Sequence, residues 1–323
     1  MKNPKAVILQ ILFALMMPLS IHAQILIIAG NAEHRASLVD ARTFASLASL
    51  PVGEGPHEIA VSQDGRFAYV AISGPREKPG NRITVLDIKQ RAVKTNFDLG
   101  EYTLPHDLCV SNDGALLWVT CAPSQTVLEV ETGTGKIKRT WKTGQEGGWM
   151  LAVTPDERKL YVANFEGKSL SVIDRVHDAV RTIPMHGGQM ALDVSPDGRE
   201  VWAGYYEGNH VAVITTANDS IVATFPSGGE RLLRLKFTPN GKEVLAPHGG
   251  SKSVTIFDVR QRALRAKLEL ASAPKVITIS GDGKRAFLTN PTDHQVTVVD
   301  IAARKVERTF ATSKTPDGIV WVK

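Results

Sequence analysis

The sequence predicts an all-β fold built by repeating one four-stranded unit, and three observations carry that prediction. Gly65, Gly114, Glu157, Gly198, Gly241 and Gly283 recur at one turn position, each preceded by Asp or Asn. Four residues later a large apolar side chain always stands: Tyr69, Trp118, Tyr161, Trp202, Leu245 or Phe287. Seventeen residues after the turn position a strand closes, at Glu131, Asp174, Thr215, Asp258 and Asp300. In the first unit that offset is 22, so Asp87 marks a five-residue insertion within residues 73–81. A repeat of about 42 residues with four short strands per unit is the signature of a β-propeller.

The chain begins with what reads as an export signal over residues 1–23. Lys2 and Lys5 precede a largely apolar run, and Ile21-His22-Ala23 offers a small-residue cleavage site before Gln24. The run is too short for a spanning helix and contains Pro18, and no cysteine stands at the cleavage point for a lipid anchor. The expectation is a monomeric domain over residues 24–323, periplasmic or secreted and not embedded in a membrane. Losing Lys2 and Lys5 lowers the formal charge from +5 to +3, spread rather than clustered, which does not favour nucleic-acid binding. Cys109 and Cys121 fall in one hairpin, and its expected turn sets Cys109 opposite Leu116 and Cys121 near Pro105. That is too far apart for a disulfide.

Each unit reads as strands A to D, with A innermost. Strand A is predicted at 59–62, 108–111, 151–154, 192–195, 235–238 and 277–280, just ahead of the Asp-Gly turn. Strand B carries the recurring apolar residue (200–204 in the fourth unit), strand C ends at the acidic position (210–214), and strand D is the next β-branched run (221–225 or 306–310). No stretch after residue 23 holds a helical period over ten residues. The termini complement each other. Residues 25–29, 36–39 and 44–50 supply strands B, C and D without an A, and residues 318–322 supply an A with nothing after it. Six whole units and this composite make seven blades, a closure that removes open sheet edges.

The units Phe67-Ala68-Tyr69-Val70-Ala71 and Leu160-Tyr161-Val162-Ala163-Asn164, with a Val-Ser/Thr-Val-Ile/Val-Asp pattern after them, resemble the YVTN-repeat family of seven-bladed propellers. The resemblance covers residues 24–323, although the unit at 232–258 departs from it with Leu245 for the aromatic. It implies the fold. For function it implies several roles: surface-layer or periplasmic binding proteins, haem d1-carrying domains and, in related repeat families, lactonases and lyases.

Candidate chemistry gathers on one face. In a four-stranded blade the D–A and B–C connections emerge together. His57 and His106 follow Pro56 and Pro105 at D–A junctions, and His186 lies in another. His34, His248 and His294 fall in B–C connections and His210 at the entry to strand C, which leaves only His177 opposite. The residues just ahead of strand A are His57, His106, Trp149, Met190, Leu233, Lys275 and Asp317, and they should ring the channel mouth. Glu58 and Asp107 follow the two histidines.

Three readings of this ring stay open. His57 and His106 with Asp317 or Glu58 would make a divalent-metal or acid/base site for a lyase or lactonase. The ring would equally serve as a binding mouth for a small molecule or polymer, with Trp149 and Met190 as walls and Lys275 capturing an anion. The plainest alternative is duplicated turn chemistry, with imidazoles bonded to backbone. His186 and His248 each precede Gly-Gly, where a ligand could approach the backbone or where a loop simply meets solvent. Arg231 and Arg234 would pair anions or lie along the rim, and a protein partner is compatible with the same face. The insertion at 73–81 reads as a projecting loop. C-x-x-C-H, a phosphate loop and G-x-S-x-G are all absent. Haem d1 binding stays open, because the resemblance asks only for an axial histidine at the mouth.

Overall fold

The computed structural model describes residues 24–323, so the export signal expected over 1–23 lies outside the described residues. They form seven four-stranded antiparallel sheets, each with its strands in A-B-C-D order. This is the seven-bladed propeller that the repeats predict. Blades 1–6 are numbered along the chain from Pro56, and the composite sheet is blade 7. Blade 4 shows the pattern: Gln189–Val194, Glu200–Tyr205, His210–Thr215 and Ser220–Pro226. Blade 7 joins Pro316–Val322 to Ile25–Gly30, Arg35–Asp40 and Ser46–Pro51, with Ile25 facing Val322 and Ile28 facing Ile319 across the seam.

The recurring turn explains its own residues. Ser62 Oγ donates to Asp64 Oδ1 (2.6 Å) and accepts from the Phe67 amide (2.9 Å), while Asp64 accepts from the Arg66 amide (3.0 Å). The same hydroxyl–acid pair stands at Ser111–Asp113, Thr154–Asp156, Ser195–Asp197, Thr238–Asn240 and Ser280–Asp282. This closed ring pushes the next residue into the left-handed region, with φ of 67 to 73° for the glycines and 58° for Glu157. Four residues on, Tyr69, Trp118, Tyr161, Trp202, Leu245 and Phe287 are buried between blades. Asp87, Asp174, Asp258 and Asp300 cap the C–D turns by accepting from backbone amides two or three residues ahead.

Blades are also stapled through the fifth residue of the C–D turn, which has positive φ in every blade. Phe44 stacks on Phe310 of blade 6 at 4.9 Å. Arg91 reaches the Leu47 carbonyl, Asp178 accepts from Trp141 Nε1 (2.8 Å), Arg262 meets Glu200 (2.5 Å) and Arg304 meets Glu243 (3.5 Å). Asp219 sits buried among Lys159, Arg181 and the Tyr161 hydroxyl of blade 3. In blade 2 the residue is Gly135 and has no side chain to contribute.

Two local expectations are corrected. Strand A begins earlier than predicted, at Pro56, Pro105, Gly148 and Gln189 in blades 1–4, because a register shift lets pairing resume beyond the irregular residues. His57 and His106 therefore belong to inner strands rather than to connections. Cys109 pairs with Trp118 rather than Leu116, while Cys121 pairs with Pro105 as expected. Both thiols are free, Cys121 buried and Cys109 half-buried.

Candidate functional site at the channel mouth

Seven inner strands converge on the channel, so their first residues meet although they are far apart in sequence. Blades 7 and 1 come close together, and a Cβ on Gly318 would lie 2.4 Å from the His57 carbonyl oxygen. That contact brings Asp317 beside His57, with Nε2 3.4 Å from Oδ2. Lys275 Nζ lies 2.7 Å from the same oxygen. On the other side of His57, Glu58 forms an ion pair with Arg234 of blade 5 across the channel, and both are buried. His57 and His106 pack at a 41° tilt with centroids 4.0 Å apart, and Trp149 follows at 5.1 Å from His106.

Burial decides the protonation of this cluster. His57 is pushed down to about 3 by burial and then by the Lys275 charge, and His106 falls well below its ordinary value through burial and His57. Both imidazoles are therefore neutral at neutral pH. His106 Nδ1 donates to the Trp149 carbonyl (3.1 Å), which leaves Nε2 as the ring's acceptor. Burial works against the Glu58 carboxylate, yet Arg234 holds it below its ordinary value. Asp107 is raised to about 7 by burial and by Glu58, while its oxygens accept from the Leu108 and Leu151 amides.

Above this layer lies a cavity of about 500 Å³. Its floor and inner walls are the strand starts His57, His106, Trp149, Met190 and Leu233. Phe165 and Tyr206, from the B–C connections of blades 3 and 4, pack edge to face at 5.6 Å and extend the wall. Glu166 accepts from Trp149 Nε1 (3.0 Å) and fixes the indole. The blade 1 insertion supplies Ser73, Gly74 and Arg76 at the lip, and Arg76 makes no ion pair among the described residues.

The ring expected from sequence is thus assembled, with differences in who does what. Lys275, expected to capture an anionic ligand, instead pairs with Asp317, the expected third ligand or base. Of the two places open to Arg234, pairing an anion or lying along the rim, it takes the first, buried inside the channel on Glu58. His248 is not in a solvent loop: strand B of blade 5 runs through it, its side chain is fully buried, and Nε2 lies 2.9 Å from Thr255 Oγ1. His186 is exposed but lines a separate hollow with Tyr205, Glu207 and His210, apart from the mouth. The metal-ligating atoms that come within 4.8 Å of one another belong to His57, Glu58 and Asp317, whereas His106 is turned to the Trp149 carbonyl. That donor set suits a divalent cation poorly, because each carboxylate already carries Arg234 or Lys275 and an added ion would face both. Sequence reasoning missed Phe165, Tyr206, Glu166 and Arg76. Phe165 and Tyr206 hold the same slot after strand B in consecutive blades, and that alignment was the available signal.

A family model described as "Lactonase, 7-bladed beta-propeller" matches residues 24–150. No curated protein sequence matches the chain. Among solved structures, Kuenenia stuttgartiensis hydrazine synthase superposes with a TM-score of 0.75 at 22% identity, over 85% of this chain and 92% of that one. The dihydro-heme d1 dehydrogenase NirN in complex with DHE gives 0.68 at 15% identity, over 90% of this chain and 64% of that one. Such identities carry the fold alone, and in fold the chain is a seven-bladed β-propeller.

Proposed function

We propose that this chain is an exported scaffold of the YVTN-repeat kind that binds a small, flat, acid-bearing molecule in the cavity over its channel mouth. The observation that supports this best is the 500 Å³ hollow walled by Trp149, Phe165, Tyr206, Met190 and Leu233, with unpaired Arg76 at its lip. A concave site with mostly apolar walls and a few convergent polar groups is what small-molecule sites require. Binding rather than catalysis is favoured by the ionisation of the cluster. An imidazole held near 3 is a weak general base at neutral pH, and both neighbouring carboxylates are held by cations. A lactonase or lyase role for His57 and His106 would need a stronger base than this. The basic, apolar start of the sequence supports export.

A tetrapyrrole of the haem d1 class is the ligand we favour. It is flat, carries carboxylates, and its iron would be held by an imidazole. His106 meets that last need, with Nδ1–H anchored on a backbone carbonyl and Nε2 left as acceptor, the arrangement that orients ligating histidines. One structural neighbour is a propeller in complex with DHE. Bound iron would supply the redox chemistry, and the chain's part would be to hold the ring plane, pair its acid groups and exclude water. Titration with an iron tetrapyrrole tests this. A saturable visible absorption shift that is lost in His106→Ala and weakened in Trp149→Ala is the expected result. No shift, or a shift indifferent to both His106 and Trp149, refutes it.

A further inference from the structure

The opposite face holds a second cavity, of about 260 Å³, between blades 1 and 2. It opens at the interface where the C–D turn of the following blade brings no side chain. Gly135 has φ of 76° there, and a Cβ would lie 2.3 Å from the Phe97 ring, so nothing larger fits.

The receptor on blade 1 is nonetheless built like the one on blade 3. Tyr69 pairs with Ala60 and Val85 as Tyr161 pairs with Ala152 and Val172. Arg181 faces Val172, and at the matching place Thr95 faces Val85 with Lys94 bulged beside it. In blade 3 the hydroxyl and the cations close on the Asp219 carboxylate, with Lys159 Nζ at 3.0 and 3.1 Å from its two oxygens. In blade 1 the corresponding carboxylate is missing. Lys94 Nζ lies over the Phe67 ring at 4.0 Å and forms no salt bridge among the described residues, while Thr132 approaches the Tyr69 hydroxyl and the Asp64 charge lies near it. The acidic turns bordering the gap, Asp64 and Asp113, are engaged by Ser62 and Ser111 and by backbone amides. Their counterparts Asp156 and Asp197 border the blade 3–4 interface, where a carboxylate is accepted all the same.

We infer that the blade 1–2 gap is a binding site for a small organic carboxylate, which takes the place that Asp219 holds between blades 3 and 4. Lys94 supplies the charge, the Tyr69 hydroxyl the hydrogen bond, and Phe67 the apolar wall. Benzoate is a suitable probe and benzamide its uncharged counterpart, followed through the amide NMR shifts of Gly133 and Gly135. Benzoate should shift both saturably at millimolar concentration and benzamide should not. Lys94→Ala and Tyr69→Phe should each weaken benzoate roughly tenfold or more. Arg76→Ala alters only the mouth, so the saturable response of Gly133 and Gly135 to benzoate should persist in it, which separates this site from the one on the other face. The inference fails if benzamide binds as well as benzoate, if Lys94→Ala keeps full affinity while still folded, or if neither glycine responds.

Discussion

At its turn end, strand A closes in six blades on the same Ser/Thr–Asp/Asn pair with a left-handed residue after it. At the mouth end, the positions at or just ahead of the starts of all seven inner strands are His57, His106, Trp149, Met190, Leu233, Lys275 and Asp317, which share no chemistry beyond the first pair. The turn end is scaffold: identical local demands met by identical residues. The mouth end is free of those demands, because bulged, irregular pairing there leaves the side chains to face the channel and one another. Repetition therefore marks stability in this chain, and its failure marks the site.

The strongest challenge to that contrast is to open the ring. Deleting residues 318–323 removes buried Ile319 and Val322 and exposes the edge of Ile25–Gly30. The expected loss exceeds about 5 kcal/mol, comparable to the whole stability of an ordinary domain. Melting should fall steeply and proteolysis accelerate; an unchanged midpoint would show that blade 7 does not close the ring. Next comes Arg234→Met, which strands the buried Glu58 charge and should cost about 3–5 kcal/mol by denaturant unfolding. Adding Glu58→Leu should recover most of that loss, as expected if the pair organises the mouth rather than stabilising the fold. At the scaffold end, Asp219→Ala should cost about 2–4 kcal/mol, because it takes the acceptor from Arg181 and the Tyr161 hydroxyl and leaves Lys159 only the Thr216 carbonyl.

A pH profile distinguishes the two ends more finely. His57 and His106 have lowered values in the folded chain, so between about 6.5 and 3 the unfolded chain binds more protons and stability falls with acidification. Asp107, raised to about 7, acts oppositely and costs stability as pH rises through that value. His57→Gln should therefore flatten the acid limb of the melting-temperature profile; a slope unchanged from the parent would mean that His57 titrates normally. The smallest effect is expected at Glu157→Gly. Relief of the left-handed backbone, worth about 1 kcal/mol, is offset by loss of the carboxylate's bond to the Asn112 amide. A net change under about 1 kcal/mol in thermal unfolding is predicted.

Much of this was legible in the residues. The turn position and the residue four beyond it locate six blades, and the unmatched strands at the two ends imply the seventh and its seam. Ring membership followed from register alone, since Pro56-His57, Pro105-His106 and Pro316-Asp317 align. What could not be read is how residues face across the channel. Glu58 and Arg234 are 176 positions apart, and nothing local announces their pairing. Nor does sequence reveal that His248 turns into a blade while His106 turns into the cavity, because one added residue of strand decides which side of the sheet a side chain takes.

The claim that the mouth holds the ligand is tested most directly by hydrogen exchange, with and without a saturating iron tetrapyrrole. Protection confined to peptides covering 73–81, 104–107, 149, 165–166 and 206 is the predicted outcome. Protection confined to the opposite face, or none despite measured binding, would contradict it.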